Sequence, residues 1–198
     1  MIKTILAVDN ADIVLGDFFS YCANMIKQIF SGKFEVSEFT SNKISNDISI
    51  NIHLEQIKSA FIFIALTHGS VSELTCFDFL PYISVGKNTC FFRNSLSFCF
   101  SCGAGKLLGK EIVDLGGKCF VGHNNTIYAS KYTWKKLFSK PIICFWVNFV
   151  LGKTVFACIN AKRVEYTRLI DEIYETDVFH AIYLLENRDS LIVYRIER

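Results

Sequence analysis

The chain opens with an apolar and β-branched run, Ile2 to Val8, closed by Asp9-Asn10, and this predicts a buried first strand. Phe18, Phe19, Cys22, Met25, Ile26, Ile29 and Phe30 then recur at helical spacing up to Ser31-Gly32, where a C-terminal glycine is expected. Phe34 to Phe39 alternates and predicts the second strand. Ser41 to Asn51 is polar and reads as irregular, and Ile52 to Lys58 reads as a short helix. Ala60 to Leu66 is continuously apolar, the mark of a strand covered on both faces, and it stops abruptly at Thr67-His68-Gly69-Ser70.

Two alternating runs follow, Glu73 to Leu80 and Ile83 to Phe92, broken by Pro81 and Gly86, and they predict a hairpin or decorated loop. Leu96 to Phe100 is a buried strand ending at Ser101-Cys102-Gly103-Ala104-Gly105. Leu107, Leu108, Ile112, Val113 and Leu115 make the next helix, and Cys119 to Gly122 a further strand ending in His123-Asn124-Asn125. Thr126 to Lys140 reads as irregular. Helical periodicity then runs from Ile143 through Ile173, and Ala181 to Leu185 with Leu191 to Ile196 predicts a closing strand pair around Asn187-Arg188-Asp189. Buried strands alternating with helices imply an α/β fold, a mostly parallel central sheet with helices on both faces, in one domain spanning 1–198. In such sheets chemistry gathers at the carboxyl ends of the strands, so His68 and Cys102 are expected along one rim.

Composition narrows the partners. A chain of 198 residues that is 51% hydrophobic and carries nineteen phenylalanines buries enough surface to order itself, with a Phe-rich core. A formal net charge of +2 argues against a nucleic-acid or acidic-lipid partner. The longest apolar stretch, Pro141 to Leu151, is interrupted by Asn148 and is about half of the roughly 20 residues that span a bilayer, so no membrane partner is expected. The eight cysteines fall mostly inside apolar runs, and no secretory pattern precedes the first strand; both point to buried thiols in a cytoplasmic protein.

A thiol that attacks a carbonyl needs a proton acceptor, an exposed seat and donors for the oxyanion. Cys102 sits between a buried strand and glycines that let a peptide approach, and His68 ends the preceding buried strand beside Gly69. The Thr67-His68-Gly69 tip, the Ser101-Cys102-Gly103-Ala104-Gly105 tip and the strand ending Val121-Gly122-His123 together resemble the caspase-like cysteine peptidases, most closely the bacterial CHAT branch. Phe145 to Ala161 is similar to the late helix pair with a leucine-glycine turn carried by CHAT domains, and the resemblance covers Ala60 to Arg168.

The resemblance implies a caspase-like three-layer sandwich and a cysteine endopeptidase acting on a protein or peptide, with no cofactor and no metal. It also implies restraint by a regulatory protein partner, in a defence or cell-death context. Cys102 would be the nucleophile, His68 the acid/base, and the backbone N–H groups of Gly69 and Cys102 the oxyanion hole. In this family the position two before the cysteine bears on the residue preferred before the cut. Here it is Phe100, neither the acid of metacaspase-like and legumain-like members nor the glutamine of caspases. His123, Asn124 and Asn125 are therefore expected at the lip of the substrate pocket. The sequence also departs from the caspase pentapeptide, which has glycine two residues after the cysteine; Cys102-Gly103-Ala104-Gly105 fits the cysteine-x-small-glycine pattern of the metacaspase and CHAT branches. A non-proteolytic interaction module of the same fold is the alternative.

Three look-alike motifs weigh less. Cys99-x-x-Cys102 lacks a second cysteine pair at zinc-ligand spacing. Ala104 to Glu111 approximates a phosphate loop but puts Glu111 where a hydroxyl should meet magnesium. Ile5 to Asp9 resembles the first strand of a phospho-receiver, but Thr67-His68 at the later tip supplies no acceptor aspartate.

Overall fold

The computed structural model describes residues 1–44, 47–76, 80–130 and 134–196. Its centre is a six-stranded sheet in the order β2-β1-β3-β7-β8-β9, formed by β1 (Ile2–Val8), β2 (Phe34–Thr40), β3 (Phe61–Leu66), β7 (Ser95–Phe100), β8 (Cys119–His123) and β9 (Leu191–Arg195). Pairing is parallel throughout except between β8 and β9. Between β3 and β7 the short strands β4 (His68–Gly69), β5 (Glu73–Cys76) and β6 (Leu80–Ser84) build a separate antiparallel sheet. This is the hairpin that the sequence predicted there; residues 77–79 of the expected Glu73 to Leu80 run lie outside the described residues.

Alternation along each strand sorts the core into two halves. Leu6, Val8, Ile62, Ile64, Leu66, Phe98, Phe100 and Val121 face α1 (Gly16–Phe30), α5 (Lys135–Val150), α6 (Val155–Ile173) and α7 (Val178–Asp189). Ile5, Ala7, Phe61, Phe63, Ala65, Cys99 and Phe120 face the other way, toward α3 (Asp47–Gln56), α4 (Leu108–Asp114) and the small sheet. Helices thus cover both faces, in the three-layer α/β arrangement expected from the sequence.

Two segments differ from their sequence reading. Ser41 to Asn51, expected to be irregular, contains α2 (Ser41–Ile44) and the first half of α3, because Ile44, Ile50, Leu54 and Ile57 drop into the core while the polar residues between them stay outside. Ala181 to Leu185, expected to be a strand, lies in α7. There Asp177 caps the helix by accepting a bond from the His180 N–H, and Ala181, Leu184 and Asn187 recur every third residue on the buried side. The turn between α5 and α6 falls at Leu151-Gly152, where Gly152 takes φ +81, a left-handed conformation that glycine adopts without a Cβ penalty. No helix among the described residues is long and apolar enough to cross a membrane.

Candidate functional site

The order of the strands explains where a site can form. β1 is followed by β2 on one side of it, whereas β3 lies on the other, so the connections after β1 and β3 diverge and open a crevice at the carboxyl edge. His68 follows β3 by two residues and reaches into this region. Its Nε2 lies 3.0 Å from Oδ2 of Asp12, in the loop after β1, and its ring meets the edge of Phe19 on α1. Asp12 is itself fixed: Oδ1 accepts the N–H groups of Val14 and Leu15 at the start of α1. Burial pushes the Asp12 carboxyl up, but the hydrogen bonds from Leu15 and His68 outweigh it and hold its pKa below the ordinary value.

Cys102 leaves the adjacent strand β7, which runs parallel to β3 with Leu66 opposite Phe100. The two tips touch. Ser101 Oγ donates to the Thr67 carbonyl at 2.8 Å, and a Cβ on Gly69 would lie 2.9 Å from Ser101 Cβ and 3.4 Å from the Cys102 carbonyl oxygen. Glycine at 69 is therefore the condition for this close approach. Gly103, at φ +63, turns the chain sharply after the cysteine, and its N–H donates to Asn125 at 3.0 Å.

A shallow pocket of about 230 Å³ opens beside the thiol. Gly69, Cys102, Asn124 and Asn125 line it, together with Lys106 and Thr126. Phe100 and His123 do not reach it. Phe100 is 1% exposed and packs against Phe18 and His123, and His123 is fully buried with Nδ1 2.9 Å from Ser190 Oγ. Strand parity is the reason: Phe100 shares its face with Phe98, and His123 its face with Val121, so all four point toward α1 and α5. Burial, aided by the charge of Lys162, drives the His123 pKa well down and keeps the ring neutral. These two residues belong to the core rather than to a substrate pocket.

The half-buried thiol is also engaged by its own chain. Cys102 Sγ accepts the Ile127 N–H at 3.5 Å and lies 3.9 Å from the Ile127 carbonyl oxygen. The stretch carrying Ile127 is latched to α7: Asn187 accepts the Tyr128 N–H and donates to the Tyr128 carbonyl, both at 2.7 Å, and the Tyr128 and Tyr183 rings stack at 4.3 Å. Asn124 N–H adds a bond to the Ser190 carbonyl at 2.9 Å. Sequence reading left this segment as an irregular connection, and residues 131–133 of it lie outside the described residues.

Asn187→Ala removes both latching bonds, each worth about 1 kcal/mol. Local opening over the thiol should then become roughly 30-fold more frequent, the equivalent of about 2 kcal/mol. The expected outcome is faster alkylation of Cys102 by iodoacetamide, measured against the exposed Cys90 as internal reference. An unchanged ratio of the two rates would show that the segment does not limit access.

The other sequence motifs resolve into structure. Cys99 is buried, and burial drives its thiol pKa far up, so it is a core residue rather than a partner for Cys102. Glu111, at the end of the phosphate-loop look-alike, accepts the Gly86 N–H at 2.8 Å and the Thr89 hydroxyl, tying α4 to the turn after β6. Asp12, which no motif singled out, enters the site from 56 positions away in sequence. Among the described residues, Asp9, Asp12 and His68 bring ligand atoms within 4.8 Å of one another, the set best placed to hold a cation. Asp9 is fully buried there and accepts the Ser41 hydroxyl at 2.7 Å. Compared with known protein families and with characterised proteins, the chain finds no match.

Proposed function

We propose that the chain is a caspase-like cysteine endopeptidase of the cytoplasm, with Cys102 as nucleophile and His68 as acid/base. The observation that carries the reading is the packing of Gly69 against Ser101 and Cys102, which joins a histidine tip to a cysteine tip on neighbouring parallel strands beside an open pocket. The chemistry follows from the groups present. The Cys102 thiol gives its proton to His68, and the sulfur attacks the peptide carbonyl. The carbonyl oxygen becomes an anion held by the backbone N–H groups of Gly69 and Cys102, which line the pocket. As the C–N bond breaks, the imidazolium protonates the leaving amine; water then hydrolyses the thioester with His68 as base.

His68 Nε2 is committed to Asp12, so proton exchange with the thiol uses Nδ1. The segment bonded to Cys102 Sγ fits an enzyme with a low basal activity that a regulatory protein raises by displacing it. A denatured protein extract incubated with the pure chain should acquire new peptide termini, and Cys102→Ala should produce none. Cleavage that survives this substitution would overturn the assignment.

The hydrogen bonds of Cys102 Sγ to Ile127 favour a second reading, a non-cleaving interaction module. Absence of cleavage by the Asn187→Ala variant, once its thiol alkylates readily, would select that reading.

A further inference from the structure

Resting on the peptidase reading, we infer that Asp12 is the positioning residue of the site, turning the Cys102–His68 dyad into a Cys–His–Asp triad. A dyad in which nothing holds the histidine leaves the imidazole free to rotate and to present either nitrogen. Here Asp12 Oδ2 sits 3.0 Å from Nε2, a distance for a charge-assisted hydrogen bond, and so selects the tautomer with the proton on Nε2. Nδ1 is then the nitrogen that accepts the thiol proton and later returns it to the leaving amine. While it holds that proton, the ring is a cation, and a carboxylate in contact with it stabilises the charge at the moment it develops.

Three features suit the carboxylate to this task. Its Oδ1 is anchored by the Val14 and Leu15 N–H groups, so Oδ2 is aimed without conformational search. The side chain of Asp12 is only one-fifth exposed and that of His68 one-quarter, so water screens the pair weakly. The contact also spans the divergence between the β1 and β3 connections, so the fold itself brings the two residues together.

Asp12 has a second duty that a test must separate. It holds the turn that leads into α1, where its Oδ1 accepts the Val14 and Leu15 N–H groups and its backbone carbonyl accepts the Gly16 N–H at 2.9 Å. Asn and Ser side chains accept such backbone N–H bonds without a carboxylate, so Asp12→Asn and Asp12→Ser retain the turn and remove the charge. The measurement is the inactivation rate of the wild type and both variants with a pool of peptidyl acyloxymethyl ketones, resolved into kinact and KI, with thermal unfolding alongside. Both variants should lose on the order of 10²-fold or more in kinact, with KI and the melting temperature little changed. Asp12→Glu should recover part of the loss.

Wild-type kinact in Asp12→Asn and Asp12→Ser would overturn the inference and leave the peptidase reading intact. Loss of wild-type activity on treatment with EDTA would assign Asp12 to a cation held with Asp9 and His68, and would also overturn it. If Cys102→Ala still processes peptides, the peptidase reading itself fails.

Discussion

Alanine in place of His68 is expected to slow peptide cleavage by about 10²–10⁴-fold, the contribution of a positioned acid/base. On the peptidase reading the substitution removes the acceptor for the thiol proton and the donor for the leaving amine in one step, and among the described residues no other histidine is placed to replace it. His123 ends the next strand in the sheet, but it is fully buried and bonded to Ser190. His180 is engaged by Asp177 on α7, and His53 on α3 packs beside Phe39. The fold should survive: the side chain of His68 is one-quarter exposed, and its loss removes the charge-assisted hydrogen bond to Asp12, worth roughly 1.5–3 kcal/mol, and the edge contact with Phe19. Circular dichroism and thermal unfolding of His68→Ala, run beside the cleavage assay, separate the catalytic from the structural effect. A variant that keeps more than about a tenth of the wild-type rate would be inconsistent with general acid–base work by this residue.

Lys162→Met is expected to stabilise the protein by a few kcal/mol at neutral pH and to change the pH dependence of unfolding. Lys162 projects from α6 into the core under the sheet, where it is fully buried, and its Nζ has no hydrogen-bond partner among the described residues. The ammonium lies 4.7 Å from the centre of the Phe98 ring on β7 and 5.8 Å from that of Tyr166 on α6. The titratable groups around it are Cys22 on α1, His123 on β8 and Tyr166, and none is a carboxylate. Burial therefore pushes its pKa down from 10.5 to about 7.

The sign follows from proton binding. Between about 7 and 10.5 the unfolded chain holds a proton on this amine and the folded chain does not, so stability rises with pH across that window. The destabilisation is complete below about 7, where folding buries a charged ammonium. Methionine has similar length and no charge to desolvate, so the variant should be more stable at pH 7, and the two proteins should converge toward pH 10. Denaturant unfolding at a series of pH values measures this difference. Parallel curves with no gain for the variant would mean that the amine is solvated or paired in the folded state.

Much of this site was legible in the sequence, and what escaped has identifiable causes. His68 and Cys102 were visible because each ends a continuous apolar strand beside glycine, a pattern set by local chain geometry. Asp12 was not. It lies in a short polar loop like many others, and its importance comes from a contact made only when β1 and β3 pair. Phe100 and His123 were assigned to the pocket from resemblance and proximity to the tips. The parity of their strands, with Phe98 and Val121 on the same face, already placed them inside. The closing strand pair failed differently: Ala-Ile-Tyr-Leu-Leu satisfies a buried strand and a helix equally well, and the Asp177 cap with Asn187 at the third turn decided for helix. That error also hid the latch, since Asn187 reaches Tyr128 only from α7.

The central claim, that two touching strand tips make one working pair, is tested most directly by two reagents on two proteins. Iodoacetamide requires only an accessible sulfur, whereas a peptidyl acyloxymethyl ketone requires a bound backbone, an oxyanion hole and an acid/base. Peptide mapping by mass spectrometry should find Cys102 alkylated by iodoacetamide in both the wild type and His68→Ala. The peptidyl reagent should modify Cys102 in the wild type and react about 100-fold more slowly with the variant. Equal reaction of the peptidyl reagent with both proteins, or its attachment only to other cysteines, would contradict the account.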